Sequence, residues 1–158
     1  MASSFSNILL HYIFAPKKRE NRLRDDFRDD LHKYIYGIIN KTKSTQLAIG
    51  SVNDHLHLFL RLHPTESPAD LIKLIKGNSS RFINDRKFCE QRFEWQEGYG
   101  VFSHSASDKE KVVHYIEHQM EHHEKQPFRA EFLNILHKAG VVYNEAYLFD
   151  WIDDDEAL

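Results

Sequence analysis

From His55 to Leu62 the chain reads His-Leu-His-Leu-Phe-Leu-Arg-Leu, a strict alternation that only an extended strand can use. Period two puts Leu56, Leu58, Leu60 and Leu62 on one face and His55 and His57 on the other. The stretch before it, Thr45 to Val52, is also strand-like, and Asn53-Asp54 between the two is a turn signal. Together they predict a β-hairpin with an apolar face and a histidine-bearing face.

The rest of the chain supplies elements to pack against that hairpin. Phe5 to Phe14 reads as an opening strand, stopped by Pro16. From Arg22 to Asn40, Leu23, Phe27, Leu31, Tyr34, Ile35 and Ile38 recur at three and four, which describes an amphipathic helix. Ser67-Pro68 caps and opens a second helix with Leu71, Leu74 and Ile75 as its inward stripe before Gly77, and Asn78 to Arg86 either extends or breaks it. Trp95 to Gly100 is turn-like, and Val101 to Ser103 is a short strand. Ser107 with Glu110 forms a capping-box pattern for a third helix, expected from Asp108 through Val112, Val113, Ile116 and Met120 to about Glu124. A fourth follows Pro127 with Phe132, Ile135 and Leu136 and ends near Gly140. The order strand, helix, strand, strand, helix, strand, helix implies a layered α+β domain whose sheet is mainly antiparallel.

A chain of 158 residues allows one such domain. The lone Cys89 forms no intrachain disulfide or CxxC pair and suits a reducing cytoplasm, and no segment approaches the roughly 20 apolar residues of a membrane span. The net charge of −3 misleads as an average. Residues Glu145 to Leu158 hold 6 of the 24 acids and no base, which leaves 21 bases against 18 acids, or +3, over residues 1–144. A mildly basic body (1–144) therefore carries an acidic tail (145–158).

Two constellations carry chemistry. His55 and His57 sit about 6.6 Å apart along one strand face, where two imidazoles can converge on a metal ion. Equally, they read as polar residues on the wet face of a half-buried strand. Tyr115 and Gln119, at i and i+4 of the third helix, lie one above the other at the edge of its apolar stripe. There the phenol either presents its hydroxyl for chemistry or packs its ring and wets its oxygen. His118, His122 and His123 follow as a solvated helix end. Tyr99 is a rival nucleophile, but Gly98 and Gly100 flank it in a turn and no amide lies one helical turn beyond.

Taken with Lys76-Gly77-Asn78-Ser79-Ser80 and Trp95 to Ser103, the Asp54-His55-Leu56-His57-Leu58 and Tyr115 to His123 segments resemble, in order and spacing over about residues 8 to 148, the HUH-type single-tyrosine transposases of small bacterial insertion sequences and their palindrome-associated relatives. The resemblance implies a ferredoxin-like, RRM-like α+β fold. It assigns His55, His57 and Gln119 to a divalent ion, Mg²⁺ or Mn²⁺, and Tyr115 to attack on a single-stranded DNA phosphate with a 5′-phosphotyrosine intermediate. It also implies hairpin-containing DNA as substrate, a homodimer and a bacterial, nucleoid-associated cytoplasmic location. A phenol with a reference pKa near about 10 must lose its proton as it attacks, and a divalent ion assists that loss while stabilising charge on phosphate oxygens. The basic body offers Lys17, Lys18, Arg19, Arg22, Lys73, Lys76 and Arg81 for phosphate contacts, or as ordinary solvated surface. Two other readings stand beside the nicking and joining enzyme: a domesticated or inactive DNA-hairpin binder using the same surface, and a histidine-rich metal-binding domain, which leaves the Tyr115/Gln119 pair unexplained.

Overall fold

The structure, a computed structural model, describes residues 4–18 and 21–151, so Arg19 and the final seven residues of the acidic tail lie outside it. Four strands, β1 (Ile8–Phe14), β2 (Thr45–Ser51), β3 (Leu56–Leu62) and β4 (Gly100–His104), form one sheet in the order β2-β3-β1-β4, with every pairing antiparallel. The hairpin joins β2 to β3 as the alternation predicts. The fold is α+β, as expected.

The central position of β3 decides what its two faces meet. Leu56, Leu58, Leu60 and Leu62 join Leu10, Tyr12 and Phe14 of β1 under α1 (Asp25–Asn40) and α2 (Pro68–Arg86), in the larger core. The opposite face is covered as well. Phe59 and Leu9 pack with Val112 and Ile116 of α3 (Lys109–Glu117), while Ile13 and Phe102 pack with Phe128, Phe132 and Leu136 of α5 (Phe128–Lys138). Helices on both faces leave no wet side of β3, so His55 and His57 are fully buried and the solvent-face reading fails.

Several local expectations are met. Ser67 Oγ accepts from the Asp70 N–H as the cap of α2, with Pro68 in the first turn. The helix then runs 19 residues, straight through Gly77. Its buried stripe steps by four through Leu71, Ile75, Ser79 and Ile83, which leaves Leu74 on the exposed side rather than in the core. Gly140 takes a positive φ just past the end of α5, the conformation that closes a helix most cheaply with glycine. β1 begins at Ile8, and Phe5 is exposed.

The third helix differs from its pattern. Ser107 lies in a short 3₁₀ turn, Ala106–Asp108, where its hydroxyl meets that of Ser105, so the capping box does not form. The helix also breaks at His118 (φ −109°, ψ 31°) and resumes as α4 (Gln119–Lys125). An unbroken helix would stack Met120 behind Ile116 on the inward stripe. The break turns the wheel, so Met120 is 58% exposed and Gln119 goes inside.

The first part of the acidic tail packs on the body. After a 3₁₀ turn at Glu145–Tyr147, Phe149 and Trp151 close over Phe128 and Phe132, and Gln96 holds the Asp150 backbone by a donated and an accepted bond (2.9 and 2.7 Å).

Two features of this packing are testable. A Cβ built on Gly50 of β2 would overlap the Ile116 carbonyl oxygen, so α3 rests directly on glycine backbone. Gly50→Ala should cost about 1–3 kcal/mol by overpacking, seen as a lower midpoint in urea unfolding; an unchanged midpoint would show that α3 does not seat there. His32 of α1 bonds Ser51 Oγ (2.8 Å), and burial, helped by the Arg28 charge, lowers its pKa to about 4. Folding therefore favours the neutral ring. Its contribution is complete above pH 6.5 and is lost as pH falls to about 4, on the order of 3 kcal/mol. His32→Gln should flatten that part of the acid limb when unfolding free energies are compared at pH 7 and pH 4.

Candidate active site

The edge of the hairpin turn delivers His55 just before β3, and period two brings His57 to the same face. Each imidazole is held from both sides. His55 Nδ1 bonds Asp54 Oδ1 (2.7 Å), while His55 Nε2 faces Glu131 Oε1 (3.1 Å) and Gln119 Oε1 (3.2 Å). His57 Nε2 meets the same Glu131 Oε1 (2.9 Å), and its Nδ1 bonds His11 Nε2 (2.7 Å), which stands diagonally across on β1. The Phe128 ring stacks on His55 at 4.0 Å, and Tyr115 stands edge-on to His57 at 5.7 Å. Gln119 turns its amide N–H back to the Tyr115 carbonyl oxygen (3.2 Å), which aims Oε1 at His55.

The electrostatics follow from burial and pairing. Burial works against charge on His55, yet the hydrogen bonds to Asp54 and Glu131 push its pKa up to about 9. Burial opposes ionisation of Glu131 too, and the two imidazoles overcome it, holding the carboxyl well below its usual range. His57 is lowered, by burial and by the neighbouring His55 charge. The cluster thus holds a protonated His55 between two carboxylates, beside a neutral His57. One proton sits where a larger cation would find four donor atoms.

Those donors fit a divalent ion. Neighbouring ligand atoms about 2.1 Å from an octahedral centre stand about 3.0 Å apart, and the contacts of Glu131 Oε1 with both imidazoles and of Gln119 Oε1 with His55 are 2.9–3.2 Å. The set is two imidazole nitrogens and two oxygens without thiolate, a mixed N/O set of the kind that divalent ions take. A second group, Asp54, His55 and His123, shares His55 but lacks Tyr115 and Gln119. Every donor of the first group is closed off: His55 and His57 are 0% exposed, Gln119 and Glu131 2%.

Tyr115 and Gln119 meet the histidine pair of their own chain. The half-buried Tyr115 phenol is pushed above its ordinary pKa by burial and by the facing Glu131 carboxylate, so it is neutral at physiological pH. Its ring also packs on His122 at 4.6 Å, which draws that histidine toward the site. Tyr99 lies on the other side of the sheet, against Tyr12, away from the cluster.

The basic residues fall into a separate region. Lys73, Lys76 and Arg81 line a groove of about 1080 Å³ between α2 and the 87–99 loop. Within it Lys76 donates to the Gln96 and Gly98 carbonyl oxygens (2.7 and 2.8 Å), tying the loop to α2. Lys17 pairs with Glu94 on the groove wall (3.5 Å), Lys18 is exposed and Arg22 is half-buried.

Sequence reasoning missed Glu131, Asp54 and His11. The signal for Glu131 was present: it occupies the inward position three residues after Phe128 and one before Phe132, an acid in an apolar stripe. His11 likewise interrupts the Leu9, Ile13 face of β1, and Asp54 was read as a turn residue and as part of the His55-Leu56-His57 segment, without a role of its own.

Comparison with known proteins identifies the family and the fold. Residues 4–119 match the family described as IS200-like transposases. The chain is 28% identical over 120 residues to the transposase of insertion sequence IS200 from Salmonella typhimurium, covering 73% of this chain and 78% of that one. It is 26% identical over 121 residues to the ISDra2 transposase TnpA of Deinococcus radiodurans (73% and 84%). A crystal structure of a transposase candidate from D. radiodurans superposes with a TM-score of 0.61 at 25% identity, covering 75% of this chain and 95% of that one. A REP-associated tyrosine transposase, solved bound to a REP hairpin, shares the fold (TM-score 0.59, 14% identity, 78% and 72%). The family match spans most of the chain: the chain belongs to the IS200-like transposase family.

Proposed function

We propose that this transposase cuts and rejoins single-stranded DNA with Tyr115 as nucleophile, at a site where His55, His57, Glu131 and Gln119 hold a divalent ion. The observation that carries the reading is the convergence of four donor atoms beside a tyrosine hydroxyl, all within one chain. When bound, the ion supplies a Lewis acid for the scissile phosphate and favours the phenolate. The chain's own residues do the rest. Asp54 and His11 hold the two imidazoles in place through their Nδ1 atoms, and the Gln119 amide is aimed by its bond to the Tyr115 backbone. The phenol of the half-exposed Tyr115 loses its proton to water as the tyrosine oxygen attacks phosphorus. The P–O3′ bond then breaks, leaving a 5′-phosphotyrosine and a free 3′-hydroxyl. Because the ester survives, attack by a 3′-hydroxyl reverses the step with no nucleotide cofactor.

The substrate class follows from the +3 body, the lysine-lined groove beside α2 and the hairpin bound by the REP-associated relative. We assign hairpin-bearing single strands, with Lys17, Lys18, Arg19, Arg22, Lys73 and Arg81 as phosphate contacts and Lys76 as their anchor. The reading includes a homodimer, as the family resemblance implies. Among the described residues no helix is long and apolar enough to cross a membrane.

Incubation with Mn²⁺ and labelled hairpin DNA should yield a covalent adduct on a denaturing gel for the wild type and none for Tyr115→Phe. An adduct retained by that variant would assign the nucleophile elsewhere, and hairpin binding with no adduct would favour the non-catalytic binder. Calorimetric titration tests the ion. Glu131→Gln should weaken Mn²⁺ binding about 10- to 100-fold and His57→Ala at least as much; unchanged affinity in Glu131→Gln would reduce the ligand set to the two histidines and Gln119.

A further inference from the structure

Tyr115 borders a second cavity, distinct from both the metal cluster and the lysine-lined groove. This cleft of about 400 Å³ lies between the end of β4, α3 and α5. Its floor is apolar, with Phe102 of β4, Val112 of α3 and Ile135 of α5. Its rim is cationic and polar, with Lys111, Lys138 and His104 against one carboxylate, Asp108. Asp108 is engaged by the Ser105 hydroxyl (3.2 Å), and among the described residues neither lysine has an ion-pair partner. Lys111 precedes Tyr115 by four residues, so on α3 the two side chains lie one above the other.

An apolar floor and two rim ammonium groups without ion-pair partners among the described residues match the chemistry of a nucleotide, whose base has apolar faces and whose phosphate is anionic. We propose that this cleft binds one nucleotide of the substrate strand, next to the bond that Tyr115 attacks. Its base lies on Phe102, Val112 and Ile135 and its phosphate sits between Lys111 and Lys138. The inference rests on Tyr115 as nucleophile and adds to it: the strand is held on the α3–α5 side of the sheet at the cleavage point, while the groove beside α2 holds DNA on the other side. The cleft then selects which nucleotide flanks the cut.

The test uses a pool of single strands, each with a central hairpin and random flanks. Binding is measured in the Tyr115→Phe background by fluorescence anisotropy across a salt series, and adduct formation with Mn²⁺ is measured in chains that keep Tyr115. Lys111→Gln and Lys138→Gln should each reduce the slope of log affinity against log salt by about 0.7, the value for one single-strand phosphate contact, whereas Lys109→Gln, facing away from the cleft, should leave it unchanged. Ala139→Trp, at the cleft mouth, should cut adduct yield at least tenfold with Mn²⁺ affinity and melting temperature at wild-type values, and sequenced adducts of the wild type should show a base preference at one flanking position. A wild-type adduct undiminished by Ala139→Trp, with salt slopes unmoved in both lysine variants, would overturn the cleft alone. A wild type that forms no adduct on any strand of the pool would overturn the Tyr115 reading, and the cleft's place beside a cleaved bond with it.

Discussion

One carboxylate oxygen holds this site together. Glu131 Oε1 takes His55 and His57 at once, at 3.1 and 2.9 Å, with all three residues buried. Removing one partner from such a buried ionic cluster strands the others without water, a loss of about 3–5 kcal/mol in comparable cases. The bond therefore fastens α5 to β3 as well as arranging donor atoms. With α5 seated, Phe128 stacks on His55 and the 148–151 segment closes over Phe128 and Phe132.

The second constraint is the covered sheet. Because β3 and β1 are central and carry helices on both sides, the histidine face became an interior rather than a surface. Interior histidines need partners for both ring nitrogens. Asp54 and His11 meet the Nδ1 atoms, leaving both Nε2 atoms aimed at one point. Orientation and metal fitness thus have the same origin. The His55 ring stands between the Asp54 and Glu131 carboxylates, and its hydrogen bonds to them favour the protonated ring against the cost of burial.

The tyrosine arm adds geometry that spacing could not supply. Close seating of α3 on Gly50 sets its height above the sheet, and the interruption at His118 rotates Gln119 inward while leaving Tyr115 beside His57. Had the helix run on, Met120 would have filled the place near Ile116 and the amide would have faced another way. The irregular residue, His118, is what lets Gln119 reach the site.

Local spacing set the elements and their faces: the hairpin, the leucine side of β3, the histidine pair, the Ser67 cap of α2 and the neighbourhood of Tyr115. Each rests on periodicity or capping between near neighbours, and strand and helix geometry turn such spacing directly into direction. Packing in three dimensions settled that the histidine face is dry, that Glu131 and His11 complete its hydrogen bonds, that the third helix breaks and that residues 148–151 pack on the body. Those outcomes join residues 74 positions apart in the case of His57 and Glu131 and 46 in the case of His11 and His57. No local pattern encodes a partner at that distance; layering the helices on the sheet brought the atoms together, and burial then required each polar group to find one.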